Sequence, residues 1–83
     1  MDEIEKVSQG RRAMTALGFV GPELDEMRQG VITRMKQMYI AGEATEVKLL
    51  AAVGELVTLD RLETSLRRQM RVGEAAQRKL NNE

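Results

Sequence analysis

Apolar residues recur along this chain at steps of three and four, and two short glycine-containing breaks divide the pattern into three segments. In the first, about residues 3–17, Ile4, Val7, Met14 and Leu17 fall on one face, and Arg11 shares that stripe. In the second, about 22–41, Leu24, Met27, Val31, Met35 and Met38 are spaced 3, 4, 4 and 3, with Ile32, Tyr39 and Ile40 widening the stripe. The third, about 45–80, carries Leu49, Val53, Leu56, Leu59, Leu62, Leu66, Met70 and Leu80, widened in its first half by Leu50 and Val57. This is the period of an amphipathic helix, and no segment alternates with the period of two that a half-buried strand requires. The spacing therefore predicts an all-α chain.

The breaks carry their own chemistry. Leu17-Gly18-Phe19-Val20-Gly21-Pro22 is the first. Proline lacks the amide hydrogen needed to continue a helix but suits the first turn of a new one. The acids Glu23, Asp25 and Glu26 that follow favour a helix N-terminus. The second break is Ala41-Gly42-Glu43-Ala44-Thr45, with Gly42 placed as a C-terminal cap. So short a connection makes its neighbours antiparallel. The expected architecture is a helical hairpin within one domain, residues 1–83. Two shorter N-terminal helices pack along one long C-terminal helix of about 54 Å at 1.5 Å per residue. Gly54 and Gly73 lie inside the long helix, where each costs up to about 1 kcal/mol against alanine. They read either as points of close backbone approach or, for Gly73, as an early end to the helix.

Composition changes this picture in one direction. There is no Cys, no His and no Trp, and only one Phe and one Tyr. Disulfides, thiolate chemistry and Cys- or His-ligated metal are excluded, as is the usual base near neutral pH. The core must come from aliphatic stripes. A chain of 83 residues is near the size at which one core is marginal and oligomerisation becomes a common remedy. Ile32, Ile40, Leu50 and Val57 cannot all face the same seam as the main stripes. They form either a wide core stripe or a surface for self-association or a partner. Methionine is an adaptable contact residue, and Met35 and Met38 beside Tyr39 are the methionines best placed to reach a partner. Ile32, Met35, Met38, Tyr39, Leu50 and Val57 are thus the candidate protein interface.

The 13 basic and 13 acidic residues cancel, which argues against nonspecific coating of nucleic acid. The balance is uneven along the chain. Residues 43–60 carry a net charge of −3 and residues 61–80 a net charge of +4. This gradient complements the helix dipole. It also leaves Arg67, Arg68 and Arg71 as a candidate anion or nucleic-acid patch, which Arg11 and Arg12 would approach from the first helix and which Asp2, Glu3 and Glu5 would partly neutralise. No aromatic ring lies nearby to stack a base, and no helix-turn-helix spacing is present.

No catalytic motif is found: no glycine-rich phosphate loop, nucleophile elbow or metal-ligand cluster. Glu43 and Glu46 form a lone carboxylate pair better explained by capping. The helix order and Arg spacing do not match those of the small helical chorismate mutases. The chain is expected to be no enzyme, with no catalytic residue, metal or cofactor. The N-terminus, Met1-Asp2-Glu3-Ile4-Glu5-Lys6, is acidic and has no apolar core, so no signal peptide is expected, and no run is apolar enough for a membrane span.

One segment is more informative as a whole. Leu59-Asp60-Arg61-Leu62-Glu63-Thr64-Ser65-Leu66-Arg67-Arg68-Gln69-Met70-Arg71-Val72-Gly73-Glu74-Ala75-Ala76 resembles a recurring segment of small, uncharacterised tailed-phage proteins. Those proteins also begin with a short helix carrying a Gly-Arg/Glu-x-Ala turn, to which Gly10-Arg11-Arg12-Ala13 is similar, followed by a second helix and a long third. Their genes stand among virion-assembly genes. The resemblance implies a context, phage head or packaging machinery, and no binding residues. The leading expectation is a non-enzymatic helical assembly protein of a tailed phage, acting by oligomerisation or by docking onto a capsid, portal or packaging protein. It would act in the host bacterial cytoplasm or in the virion. The alternatives are a small DNA-packaging or regulatory subunit that binds nucleic acid through the basic end, and a phage-encoded inhibitor that binds a host protein.

Overall fold

Two long helices and a tight loop make up the computed structural model, which describes residues 2–82. Helix α1 spans Glu3–Ile40 and helix α2 spans Glu46–Asn81. They lie side by side as an antiparallel hairpin 62 × 20 × 14 Å in extent. The radius of gyration is 18.0 Å, against about 12 Å for a compact domain of this length.

Each helix end is closed by the chemistry its residues offer. Asp2 caps α1 by accepting from the Glu5 amide at 2.8 Å, and Thr45 caps α2 by accepting from the Lys48 amide at 3.2 Å. At the end of α1, Gly42 takes φ +73°. Its amide donates to the Tyr39 carbonyl at 3.1 Å, and the Glu43 amide donates to the Met38 carbonyl at 2.8 Å. This pair of bonds is the Schellman closure, which needs a left-handed residue where Gly42 stands. The C-terminal cap, the antiparallel hairpin and the long second helix are as the spacing predicted.

The expected division of the N-terminal arm is corrected. Residues 3–17 and 22–41 do not form two helices; α1 runs through Gly18, Gly21 and Pro22 without a break. Pro22 is exposed and within the helix. It removes the one amide that would have bonded the Gly18 carbonyl, but the packing phase carries across it. From Leu17 the seam runs through Gly21, Leu24, Arg28, Val31, Met35 and Met38, alternating four and three, with Val20 and Ile32 half-covered beside it. A proline weakens a helix locally, and continuous burial on both sides of it keeps the turns in line. For the same reason Gly10-Arg11-Arg12-Ala13 is helix interior and not a turn.

The facing stripe of α2 is as regular. Leu49, Ala52, Leu56, Leu59, Glu63, Leu66, Met70, Gly73, Gln77 and Leu80 are all covered, alternating three and four without exception. This is heptad spacing, which keeps one face of a helix toward its partner. It also corrects the expected stripes. Ala52 and Glu63 occupy seam positions in place of Val53 and Leu62, and Arg28 in place of Met27; Met27 is 56% and Leu62 49% exposed. Near the termini Ile4 and Met14 are exposed, and the buried residues are Val7, Gly10 and Ala13. Counting large apolar side chains misses this end because its packing is between backbones. A Cβ on Gly10 would stand 2.6 Å from the Gly73 Cα, and a Cβ on Gly73 would stand 2.6 Å from the Gly10 Cα. The matching Gly10-x-x-Ala13 and Gly73-x-x-Ala76 let the helices meet there, with Ala13 and Ala76 both buried. Of the two readings of Gly73, close approach is the one realised.

Candidate interaction surface

Two-helix geometry leaves each helix with a seam, two flanks and an outer face, and the ion pairs identify the flanks. Arg28 emerges from the seam and is clasped on one side. Its Nη1 donates to Asp25 Oδ1 at 2.8 Å and its Nε to Asp60 Oδ1 at 3.0 Å. Nη2 faces Glu63 Oε2 at 3.4 Å but makes no hydrogen bond, although it is buried. The Arg28 side chain is 18% exposed. Burial works against its charged form, but hydrogen bonding and attraction to Asp60 and Glu63 outweigh that and hold the guanidinium above its usual pKa. Asp25 and Asp60 therefore lie on the same flank, one on each helix. On the opposite flank Arg34 pairs with Glu55.

Moving one heptad toward the loop from Asp25 and Asp60 gives Ile32 and Val53, and two heptads from Asp25 gives Tyr39. Leu50 and Val57 stand three and four residues from Val53, one helical turn away on the same side. Tyr39 is 79% exposed and Leu50 62%, Val53 and Val57 are also exposed, and Ile32 is half-covered. Ile40 and Val47 are open to solvent near the loop as well. The loop-proximal part of this flank is thus an uncovered aliphatic and aromatic patch. Lys36 and Glu46 are the charged residues among its positions, and Lys36 lines a shallow depression with Met35, Tyr39, Ile40 and Leu49.

Of the six candidate interface residues, Ile32, Tyr39, Leu50 and Val57 share this flank. Met35 and Met38 do not: both are half-covered seam residues. Val53 belongs to the patch and was read as core, because a valine beside an alanine suggests that the valine faces inward. The signal that could have placed it lies on α2: Leu59, Leu66, Gly73 and Leu80 recur every seven residues, and the same step back from Leu59 falls on Ala52, which leaves Val53 beside the seam.

The opposite flank carries Met27 and Leu62, one heptad from Arg34 and Glu55. Beside them runs an open groove of about 900 Å³ lined by Met27, Gly30, Val31, Arg34, Gly54, Glu55, Thr58 and Leu59. Its two glycines have open space where a Cβ would be, so nothing within the hairpin requires them.

The basic end resolves into exposed and engaged side chains. Arg67, Arg68 and Arg71 are all exposed. Arg67 Nε lies 3.7 Å from Glu63 Oε2, and Arg71 Nε donates to the Arg67 carbonyl at 3.4 Å. Arg68 has no ion-pair partner among the described residues. Arg11 donates from α1 to Gln77 Oε1 at 3.2 Å, nearer the end of α2 than Arg71. Glu3 meets both Lys79, at 3.6 Å, and Lys6, at 3.3 Å. Such exposed pairs contribute little to stability. The acidic half of α2 has a different use: Glu55 and Asp60 pair with Arg34 and Arg28 of α1.

Among the described residues no three acidic side chains converge as a metal site would require, and no helix is long and apolar enough to cross a membrane. Comparison with models of known families, with characterised proteins and with solved structures finds nothing that matches this chain.

Proposed function

We propose that this chain is a non-enzymatic helical assembly protein of a tailed phage, acting in the host bacterial cytoplasm or the virion. It works by associating with itself or by docking onto a capsid, portal or packaging protein. The observation that carries the reading is the uncovered flank formed by Ile32, Tyr39, Leu50, Val53 and Val57. A hairpin that leaves such residues in water while burying glycine and alanine in its own seam is built to be covered. The phage context rests on the resemblance of Leu59–Ala76 alone. The test is to separate particles and assembly intermediates from a lysate of infected cells and measure the protein in each by quantitative mass spectrometry. Fixed stoichiometry with either, lost on Leu50→Glu with Val57→Glu, supports the reading. Recovery only as free protein, with normal particle yield when the gene is deleted, refutes it.

A second reading, a small DNA-packaging or regulatory subunit, is favoured by one observation. Arg68 and Arg71 are exposed at one end and form no pair with a carboxylate among the described residues. If they and Arg67 neutralise phosphates, binding to duplex DNA weakens steeply with salt. Replacing all three by alanine then lowers the slope of log K against log salt by roughly 3, at about 0.9 per phosphate contact. An unchanged slope removes this reading.

A further inference from the structure

We infer that α1 is hinged at Gly18–Pro22, so that residues 3–17 detach from α2 as one unit while the loop-proximal half of the hairpin stays closed. Two sets of helix-start signals stand in α1. Asp2 caps the helix of the closed hairpin. The second set lies inside that helix. Gly21 is placed as an N-terminal cap, Pro22 as the first helical residue, and Glu23, Asp25 and Glu26 in the turns that follow. These signals are idle in the closed hairpin, where α1 runs straight through them. They are what a helix beginning at Pro22 needs once residues 3–17 have left.

The backbone is weakest at the same place. Pro22 offers no amide to the Gly18 carbonyl, and Gly18 and Gly21 are poor helix formers. A Cβ on either glycine would meet nothing within 4 Å, so close packing does not require them. The facing stretch of α2 runs between Asp60, which pairs with Arg28, and Gly73, which meets Gly10. It holds neither glycine nor proline between those two. The weakness is therefore confined to one arm.

Packing divides at this point too. Beyond the hinge the buried residues are Val7, Gly10 and Ala13 on α1 and Gly73 and Ala76 on α2. Among these, Val7 alone has a side chain larger than a methyl group. Glycine and alanine let backbones meet but remove little apolar area from water. On the loop side Leu24 and Val31 are buried among half-covered methionines and leucines. There Arg28 also holds Asp60 and Glu63, and Arg34 holds Glu55. The arm is tied by Glu3 to Lys79 at 3.6 Å and by Arg11 to Gln77 at 3.2 Å. Segments with few buried apolar contacts open first. Residues 3–17 are at the length where an isolated helix is marginal, so loss of their packing runs on to Pro22, where the second start holds. Detachment uncovers Met70, Gly73, Ala76 and Leu80 of α2, all covered in the closed hairpin.

The chain has no cysteine, so a single thiol reports opening where it is placed. Val7→Cys and Val31→Cys replace like residues, both buried on α1, on either side of the hinge. With a thiol reagent slow enough for opening to pre-equilibrate, Val7→Cys is expected to be labelled at least about tenfold faster than Val31→Cys. Adding Pro22→Ala restores the amide and removes the second start, and is expected to slow labelling of Val7→Cys by about tenfold or more. Fraying turn by turn from Glu3 would not feel residue 22, about four turns beyond Val7. Residue-resolved hydrogen exchange of the wild-type chain reads the boundary. Amides from Val7 to Leu17 are expected to share one opening free energy, with protection stepping up across Gly18–Pro22.

Equal labelling of the two thiols shows a single all-or-none unit and overturns the hinge. Labelling of Val7→Cys that Pro22→Ala leaves unchanged overturns it as well, as does protection that rises evenly from Val7 to Met38, since both are the marks of simple fraying. The hinge is independent of the assembly reading, which the particle experiment decides by itself.

Discussion

Alanine in place of glycine inside a helix ordinarily stabilises it by about 0.8–1.0 kcal/mol, and this hairpin contains positions where the sign should reverse. At Gly10 the new methyl would stand 2.6 Å from the Gly73 Cα, 3.2 Å from its nitrogen and 3.1 Å from the Gln69 carbonyl oxygen. Carbon atoms pack best at about 3.5–4.0 Å, so the helices must separate by about 1 Å. All three obstacles are backbone atoms and cannot rotate away. A gap of 0.5–1 Å forfeits a quarter to a half of each dispersion contact, here those of Val7, Ala13 and Ala76. Overpacking of this kind costs about 1–3 kcal/mol. After the gain in propensity, Gly10→Ala should destabilise the hairpin by up to about 2 kcal/mol, with about 1 kcal/mol at the centre of that range. Gly54→Ala has open space and should stabilise it by about 1 kcal/mol. In a domain this small each kcal/mol moves the melting midpoint by about 4–8 °C, so the two variants should diverge by roughly 10 °C. Thermal unfolding followed by circular dichroism at one fixed protein concentration reads this, since any self-association makes the midpoint concentration-dependent. If Gly10→Ala and Gly54→Ala both raise the midpoint, the close approach of the two backbones is wrong.

Other variants test other joints of the hairpin. Gly42→Ala places a side chain at φ +73° and should cost about 1–2 kcal/mol, read as a lower urea midpoint with unchanged slope. Pro22→Ala restores an amide donor to the Gly18 carbonyl and should stabilise α1 by about 1–3 kcal/mol; a lower melting midpoint would show that the proline is needed where it stands. Arg28→Leu leaves Glu63 in the seam with only Arg67, at 3.7 Å, and should lower the urea midpoint, and adding Glu63→Leu should recover the loss or more, as replacement of whole covered ion pairs by apolar residues often does. If the double variant is less stable than the single one, the cluster contributes more than mutual compensation.

The role of Gly42 at the end of α1 was legible because a cap is local chemistry; Thr45, expected as the first residue of the last helix, is its N-terminal cap. A left-handed glycine and a side-chain acceptor act within four residues of themselves. Helix type was legible too, since apolar recurrence at three and four admits no strand. The same locality explains the error at Pro22. Proline does terminate helices when only neighbouring turns are weighed, and what carried α1 through it was burial against α2, which lies far along the chain. The patch was half legible: Ile32, Tyr39, Leu50 and Val57 stood out as apolar residues in excess of one stripe, while Met35, Met38 and Val53 could be sorted only once the seam was known.

By itself, then, the sequence determined an all-helical chain, a reversal at Gly42 and a chemistry without thiols or imidazoles. The tertiary structure decided which stripe of each helix became the seam. Small residues won that place at Gly10, Ala13, Gly73 and Ala76, and charged ones at Arg28 and Glu63. The physical reason is that burial in a two-helix hairpin depends on register and on how closely the backbones approach. Both are properties of the pair of helices, and neither can be read from the hydrophobicity of one.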